Sequence, residues 1–175
     1  MGIPEIKIVE VSLKDLKKLK EIARRTFHQS FSAVNTAENM QNYLDQHFSE
    51  EILRSEILNP DSRFFFANLR DEPVGYYKLN ERRAQTVLPN DEGMEIERIY
   101  IDQAFKEMGI GSLLINKAVE SGTESGAKYL WLGVWEHNKP AIRFYEKNRF
   151  KIFSHHIFKL GDDPQTDLLM KRELQ

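Results

Sequence analysis

The chain has 175 residues, of which 41% are hydrophobic and 30% charged, so it carries enough apolar material for one substantial core. Its 25 basic and 27 acidic side chains leave a net charge of −2, which argues against nucleic acid as the main partner because nucleic-acid-binding domains are normally basic. The sequence contains no cysteine, which excludes disulfides, thiolate metal ligands and a cysteine nucleophile.

The start of the chain predicts neither export nor membrane insertion. Its first five residues (MGIPE) lack the basic and then apolar pattern of a secretory signal, and no apolar run approaches the ~18 residues that cross a bilayer. We therefore expect a cytoplasmic protein without a membrane partner. No linker, repeat or low-complexity segment interrupts the sequence, so residues 1–175 are expected to form a single domain.

The N-terminal half alternates between helical and strand periodicity. In chain order, it predicts a strand over 6–11, a helix from Ser12 to about His28, an irregular stretch over 29–35, and a helical region over 36–59 that breaks near Ser49. Strands over 63–67 and 74–79 follow, joined as a hairpin by the turn Asp71-Glu72-Pro73, and a polar loop spans 81–93.

The C-terminal half alternates strands with helices. It predicts strands over 94–101, 128–135, 150–158 and 167–170, a helix after Gly109 whose end is marked by Gly122 and Gly126, a helix from Asn138, and a turn over 161–164. The element order is β, α, α, β, β, β, α, β, α, β, β. That order predicts an α/β fold of the α+β kind, in which helices pack on a mixed sheet.

The segment from Lys106 to Ser112 lies between a predicted strand and a predicted helix. Its glycines allow a ligand to approach the backbone closely, and the first N–H groups of the helix attract phosphate, so we predict a phosphate or pyrophosphate site. The spacing excludes a P-loop, and Leu114 stands where a dinucleotide fingerprint needs glycine. Glu136 lies near the place of a ribose-binding acid, which keeps a nucleotide-dependent oxidoreductase as an alternative. A second alternative is that this segment is a simple turn followed by the start of a helix.

Three linked motifs resemble the acetyl-CoA-binding motifs of GNAT acetyltransferases in order and spacing. They are the run ERIYI over 97–101, the loop Lys106-x-x-Gly109-x-Gly111, and Asn138-x-x-Ala141-x-x-Phe144-Tyr145-Glu146-Lys147 followed by Phe150. Further stretches, over 26–44, 130–136 and 161–168, are similar to PaiA-type bacterial spermidine/spermine N-acetyltransferases, so the resemblance covers nearly the whole chain. It implies the GNAT acyl-CoA N-acyltransferase fold, a central twisted mixed sheet flanked by helices, and acetyl-CoA as co-substrate.

The resemblance also implies roles for particular residues. It assigns the CoA pyrophosphate to the loop, the pantetheine arm to the backbone around Ile99 and Ile101 and to Asn138, the sulfur to Tyr145, and the nucleotide end to Lys147. The implied cofactor-binding residues are Ile99, Tyr100, Ile101, Lys106, Glu107, Met108, Gly109, Ile110, Gly111, Ser112, Asn138, Ala141, Tyr145 and Lys147.

The sequence departs from the family pattern at two positions. Lys106 replaces the usual Gln or Arg, and so keeps a cation but not a planar fork of donors. Arg149 replaces the usual glycine before Phe150, where a left-handed residue suits the end of a helix. Asn148 can take that conformation instead.

Acetyl transfer requires a neutral amine, and an alkylamine with a pKa of about 10.4 is almost entirely protonated at neutral pH. We therefore expect a general base, and Glu97 is the first choice because it lies on the strand that would line the cofactor arm. Glu95, on the same face, is the second choice. A structural role for either, such as pairing with Arg98, remains an alternative. Tyr145 is the expected acid or hydrogen-bond donor to the thiolate, and the alternative is a core tyrosine.

The expected reaction is transfer of an acetyl group to a primary amine, with a polyamine (spermidine or spermine) as acceptor. Asp45, Glu50 and Glu51 could attract a polycation or belong to solvated helix faces. Two rivals remain: an acetyltransferase acting on protein N-termini or lysines, and a non-catalytic acyl-CoA-binding regulatory module. The five histidines form no metal-ligand pattern, so no metal is expected. A homodimer is compatible with the sequence.

Overall fold

The computed structural model describes residues 5–160 and 162–175, so Gly161, the first residue of the predicted 161–164 turn, lies outside the described residues. The helices and strands, numbered in chain order, are β1 (Ile6–Glu10), α1 (Leu16–Phe31), α2 (Ala37–His47), α3 (Glu50–Leu58), β2 (Ser62–Leu69), β3 (Glu72–Arg82), β4 (Asn90–Ile101), α4 (Ile110–Ser125), β5 (Tyr129–Trp135), α5 (Lys139–Lys147), β6 (Lys151–Leu160) and β7 (Asp163–Glu173).

The strands form one sheet in the order β1-β2-β3-β4-β5-β7-β6. β4 pairs with β5 in parallel, whereas β7 pairs antiparallel with both β5 and β6. The predicted mixed α/β sheet is therefore confirmed. Two compact units can be distinguished: the first comprises the residues up to Lys78 together with Arg98–Leu114, and the second comprises Leu79–Glu97 together with Ile115–Gln175. The single-domain expectation stays a prediction.

The first unit is organised around the apolar face of α1. Residues Leu19, Ile22 and Phe27 of this helix are buried at helical spacing, and the Phe27 ring stacks on Tyr43 at a centroid distance of 4.7 Å. Ser49 caps α3 by accepting a hydrogen bond from the Ile52 N–H, which confirms the predicted break between α2 and α3.

The predicted irregular stretch over 29–35 was partly wrong, because α1 continues to Phe31. The Phe31 ring packs on Phe27 at 4.6 Å, and this aromatic contact stabilises a last turn that the polar neighbours did not predict. A short 3-10 helix, Ser32–Val34, follows. Among the helices of the described residues, none is long and apolar enough to cross a bilayer.

The hairpin of β2 and β3 turns through two residues, Arg70 and Asp71, whose φ angles are +50° and +69°. Positive φ at both positions is typical of a type I′ turn, which matches the twist of the flanking strands. The prediction placed the turn one residue later, at Asp71-Glu72-Pro73. Pro73 instead lies in β3, close to the strand start, where proline is tolerated.

The second unit is organised around Trp131, which is fully buried and donates its indole N–H to the Gln85 side-chain oxygen at 2.7 Å. Gln85 also donates to the Asn90 carbonyl at 2.9 Å. These bonds hold a short connection, so β3 extends to Arg82 and β4 begins at Asn90, and the predicted loop over 81–93 was too long. Composition misled here because the polar Gln85 is buried and its hydrogen bonds are satisfied.

Two glycines of α4 behave differently from each other. Gly126 has φ +80° just after the helix, and the N–H groups of Gly126 and Ala127 donate to the carbonyls of Thr123 and Gly122, so the predicted end at Gly126 is confirmed. The prediction that Gly122 also marks the helix end was wrong, because α4 continues to Ser125. Gly122 lies inside the helix and is buried, and a Cβ there would come within 2.7 Å of Leu174.

The C-terminal end of α5 contains a strained residue. Arg149 itself has φ +71°, whereas Asn148 has φ −89°, so the prediction that Asn148 takes the left-handed conformation was wrong. The Arg149 N–H donates to the Glu146 carbonyl and the Phe150 N–H donates to the Tyr145 carbonyl, both at 3.0 Å. This pair of bonds forms a Schellman motif, which requires a positive φ at residue 149.

The last two strands are longer than predicted. β6 and β7 pair antiparallel from Lys151 opposite Lys171 to Leu160 opposite Asp163. Charged and polar residues at both ends of these strands concealed their extent in the sequence, because backbone pairing rather than apolar alternation extends the ladder.

Candidate active site

The glycine loop of the first unit connects β4 to α4 through a short 3-10 helix, Gln103–Phe105. Glu107 and Gly109 have φ angles of +72° and +77°, and a Cβ at Gly109 would meet nothing within 4 Å, so its glycine serves backbone conformation. Helix α4 begins immediately afterwards at Ile110 and is 16 residues long. Because N–H groups of a first helical turn lack intrahelical acceptors, Ile110, Gly111 and Ser112 form an anion-attracting end.

Asp102 holds the base of this loop and was missed by the sequence reasoning. Its carboxylate accepts hydrogen bonds from Arg25 Nε at 2.7 Å, Gln29 Nε2 at 3.3 Å and the Ala104 N–H at 3.1 Å. Burial alone would raise the pKa of Asp102, but these bonds and the Arg25 charge lower it below the ordinary 3.8. The only sequence signal was an acid just after a strand, because Arg25 and Gln29 are more than 70 positions away.

The end of β4 in the first unit places Ile99, Tyr100 and Ile101 in half-buried positions. The Tyr100 ring stacks on Tyr76 at 6.1 Å. Arg98, which the sequence offered as a partner for the β4 glutamates, forms a bidentate pair with Glu56 at 2.8 and 2.9 Å.

The second unit holds the two candidate bases, Glu95 and Glu97, on β4. Glu95 is buried and accepts hydrogen bonds from the Thr86 N–H at 2.8 Å and the Thr86 hydroxyl at 2.5 Å. The Asn80 amide nitrogen donates to both carboxylates, at 3.2 Å to Glu95 and 2.8 Å to Glu97. Burial raises the pKa of Glu95, the charge of Glu97 adds to this effect, and the Thr86 and Asn80 bonds oppose it.

Tyr145 lies on the buried face of α5, with its ring 5.9 Å from the Phe150 ring. In the part of the chain that the structure describes, its hydroxyl has no hydrogen-bond partner. Burial raises the pKa of the Tyr145 phenol above its ordinary value of 10.0, so the phenol stays protonated at neutral pH and keeps its proton for donation.

Asn138 caps α5. Its side-chain oxygen accepts a hydrogen bond from the Ala141 N–H at 3.3 Å, which leaves the amide NH₂ for other partners. The cap that the sequence suggested is therefore present. Lys147 lies in the last turn of the same helix and is exposed.

Comparison with known proteins decides the family. The model of the acetyltransferase (GNAT) family matches residues 16–150. The chain is 43% identical over 169 residues to an uncharacterized N-acetyltransferase in the pepI 3′ region of Lactobacillus delbrueckii subsp. lactis, covering 97% of this chain and 98% of that protein. This protein is a GNAT acetyltransferase. It uses acetyl-CoA as co-substrate and transfers the acetyl group to nitrogen.

Two further relatives come from Thermoplasma acidophilum. The GNAT acetyltransferase is 26% identical over 174 residues to a spermidine N(1)-acetyltransferase, covering 97% of this chain and 98% of that protein. The crystal structure of a PaiA N-acetyltransferase in complex with coenzyme A superposes with a TM-score of 0.80 at 24% identity, over 97% of this chain and 99% of that one. This structural likeness confirms the predicted GNAT fold.

Asp167 of this GNAT acetyltransferase is a second carboxyl that sequence reasoning missed. It pairs in register with Trp135 on β5 and His156 on β6. Within the described residues its side chain makes no hydrogen bond, and the Trp135 indole N–H is buried without a partner. Burial raises the pKa of Asp167 to about 6, although the nearby charge of His156 lowers it. A half-buried carboxyl without donors and with a raised pKa is a candidate functional group.

The register places three carboxyls on one face of the sheet. Glu95 lies opposite Trp131, and Asp167 lies opposite Trp135, two strand periods further along β5. Because residues two apart on a strand and residues paired in register share a face, Glu95, Glu97 and Asp167 project to the same side. Across the described chain, no group of three or more potential ligands (His, Cys, Asp or Glu) could hold a metal ion.

The acids of the N-terminal helices have partners of their own. Asp45 accepts hydrogen bonds from Arg24 at 2.9 Å and from Gln41 at 3.0 Å, and Glu50 lies 3.7 Å from Lys20. Their suggested attraction for a polycation stays a prediction, and the solvated ion pairs give them a structural explanation.

Proposed function

We propose that this GNAT acetyltransferase acetylates a primary amine of a polyamine, with spermidine or spermine as acceptor. The observation that carries the proposal is the common face of Glu95, Glu97 and Asp167, because several ammonium groups on one flexible chain need several carboxylates. The relative named as a spermidine N(1)-acetyltransferase, similar over nearly the full length, supports the same acceptor class.

Glu97 is proposed as the general base, acting directly or through one water. It removes a proton from the ammonium group, and the neutral amine then attacks the thioester carbonyl, so that a C–N bond forms and the C–S bond breaks. Glu95 is less suited, because three hydrogen bonds from Thr86 and Asn80 already hold it. The shared Asn80 amide orients both carboxylates.

Tyr145 is proposed to stabilise the departing CoA thiolate. Its raised pKa, caused by burial, makes complete proton transfer to a thiolate of pKa about 8.5 unfavourable. A hydrogen bond from the phenol to the developing negative charge is favourable in the same buried environment. The nitrogen loses its second proton to solvent as the C–S bond breaks, and the thiolate takes one proton from solvent. Each turnover therefore releases one net proton, the one that Glu97 accepts from the ammonium group and passes to solvent.

The remaining predicted contacts concern the rest of acetyl-CoA. We propose that the loop from Lys106 to Ser112 binds the pyrophosphate, on the basis of the positive φ at Gly109 and the start of α4. The β4 backbone at Ile99 and Ile101 is proposed to pair with the pantetheine arm. The Asn138 amide NH₂ remains to donate to the arm, since the side-chain oxygen serves the cap.

The experiment follows CoA release with spermidine, spermine, butylamine, amino acids and lysine-containing peptides as acceptors. We expect turnover with polyamines, a loss of roughly 10²-fold in kcat for Tyr145→Phe, and a loss of roughly 10²-fold or more for Glu97→Gln. Asp167→Asn should raise KM for spermidine more than KM for butylamine, because only the polyamine has a distant ammonium group.

Glu120→Gln provides the matched control for Glu97→Gln, since Glu120 is an exposed acid of α4 paired only with Lys117 in the described structure. Turnover confined to peptides would replace the polyamine by a protein acceptor. Binding of acetyl-CoA without turnover of any amine would contradict catalysis and favour a regulatory module. A wild-type kcat in both Tyr145→Phe and Glu97→Gln would contradict the proposed mechanism.

A further inference from the structure

The second unit contains a cationic cleft that the acetyl-transfer chemistry does not use. It has a volume of about 600 Å³ and is lined by Val119, Arg149, Lys151, Lys171, Arg172 and Leu174, among others. Such a volume is typical of small-molecule sites. Four of these side chains are cationic, and Glu173, which pairs with Lys171 at 2.9 Å, is the acid among the lining side chains.

The cations reach the cleft from both faces of the sheet, because Lys171 and Arg172 are consecutive residues of β7. Lys151 and Lys171 lie directly opposite each other on β6 and β7, a like-charge pair that destabilises the ladder and that the Lys171–Glu173 ion pair partly offsets. Arg172 donates to the Asn148 carbonyl at 3.1 Å, which fixes its guanidinium beside the end of α5. Burial lowers the pKa of Arg172, and the charge of Arg149 lowers it further, as expected for neighbouring cations.

The backbone at Arg149 adds an independent observation. Its φ of +71° suits glycine, and a side chain with a Cβ is strained there. This strained residue lines the cleft, and strained positions of this kind cluster at functional sites. Two unfavourable features, a like-charge pair and a strained arginine, therefore meet at the same cavity.

We propose that this cleft binds a small organic molecule carrying a di- or triphosphate group. Arginine and lysine together favour phosphate, because guanidinium forks bind its oxygens in a bidentate manner and ammonium groups add point charges. Val119 and Leu174 supply apolar walls for the organic part. A concave cavity fits a small molecule better than a nucleic acid or an acidic protein surface.

The test uses isothermal titration calorimetry on the full chain saturated with CoA, so that the proposed pyrophosphate loop is occupied. ATP and inorganic triphosphate are the probes, and a glutamate-rich peptide represents acidic proteins. We expect both phosphate probes to bind, ATP more tightly, with affinity that falls as salt is raised. Arg172→Gln and Lys151→Gln should each weaken binding about tenfold, as the loss of one charged hydrogen bond implies.

Arg149→Gly separates a ligand-binding role from a structural one. The variant should unfold at a temperature about 2–4 °C higher, because strain is relieved, and yet bind ATP about tenfold more weakly. Lys17→Gln, which removes an exposed cation from α1, is the charge-matched control and should bind as wild type.

Three results would overturn the proposal: no heat of binding with either phosphate probe at millimolar concentration, wild-type affinity in all three cleft variants, or tighter binding of the glutamate peptide than of triphosphate. CoA release with spermidine, measured on the same samples without phosphate probes, reports acetyl transfer separately. Failure of one proposal therefore leaves the other untouched.

Discussion

Replacing Asp167 by Asn should stabilise the protein at high pH and lose that advantage in acid. The pKa of Asp167 is raised by burial from 3.8 to about 6, so the folded state binds this proton more tightly than the unfolded state. The ionised carboxylate therefore destabilises the fold above about pH 6, and the penalty disappears as the pH falls from 6 towards 3.8. His156 moderates the penalty, since its charge acts in the opposite direction.

The size of the expected stabilisation follows from the shift in the pKa of Asp167. A difference from 3.8 to about 6, at about 1.36 kcal/mol per unit, corresponds to about 3 kcal/mol, and solvent screening of a partly exposed carboxyl reduces this to roughly 1–2 kcal/mol. Urea unfolding of the wild type and Asp167→Asn should therefore differ by that amount at pH 8 and by much less at pH 4. Asp91→Asn, at an exposed acid of β4, is the control. Equal stabilisation at both pH values, or destabilisation at pH 8, would refute the reasoning.

Three other substitutions test the local geometry. The double variant Arg70→Asn with Asp71→Gly supplies the residues that a type I′ turn prefers and should raise the free energy of unfolding by about 1 kcal/mol in urea titrations; no gain would argue against two left-handed residues there. Gly93→Ala should cost about 1–3 kcal/mol in the same assay, because its Cβ would lie 2.6 Å from the Tyr129 ring, and an unchanged midpoint would contradict that packing. Asn138→Asp keeps a capping oxygen but loses the NH₂ donor, so the melting temperature should hold while KM for acetyl-CoA rises several-fold.

Local signals predicted much of the fold. Ser49 indicated the break between α2 and α3 because a serine cap acts on the residues that follow it directly. Gly126 indicated the end of α4 for a similar reason, since the left-handed turn after a helix favours glycine. The order of strands and helices and the position of the glycine loop follow from such short-range patterns, which are visible in one sequence.

Packing between distant segments was not predictable in the same way. Gly122 resembled a helix end, but the close approach of Leu174 explains why a glycine stands inside the helix. Gln85 resembled a loop residue, but Trp131, 46 positions later, buries it and gives it a donor. The support of Asp102 by Arg25 likewise spans 77 positions. Contacts of this kind depend on the sheet order, which periodicity alone does not determine.

The two β4 glutamates show how such contacts discriminate between equivalent residues. Alternation along a strand places Glu95 and Glu97 on one face and cannot rank them. Thr86 distinguishes the two glutamates, because its N–H and hydroxyl both donate to Glu95. Protonation of the Glu95 carboxylate would therefore disturb the connection between β3 and β4. Glu97 is half-buried and bonded to the Asn80 amide, and we propose it as the base because the Thr86 bonds go to Glu95 instead. A base that changes charge in every turnover is better placed where the connection between β3 and β4 does not depend on its charge.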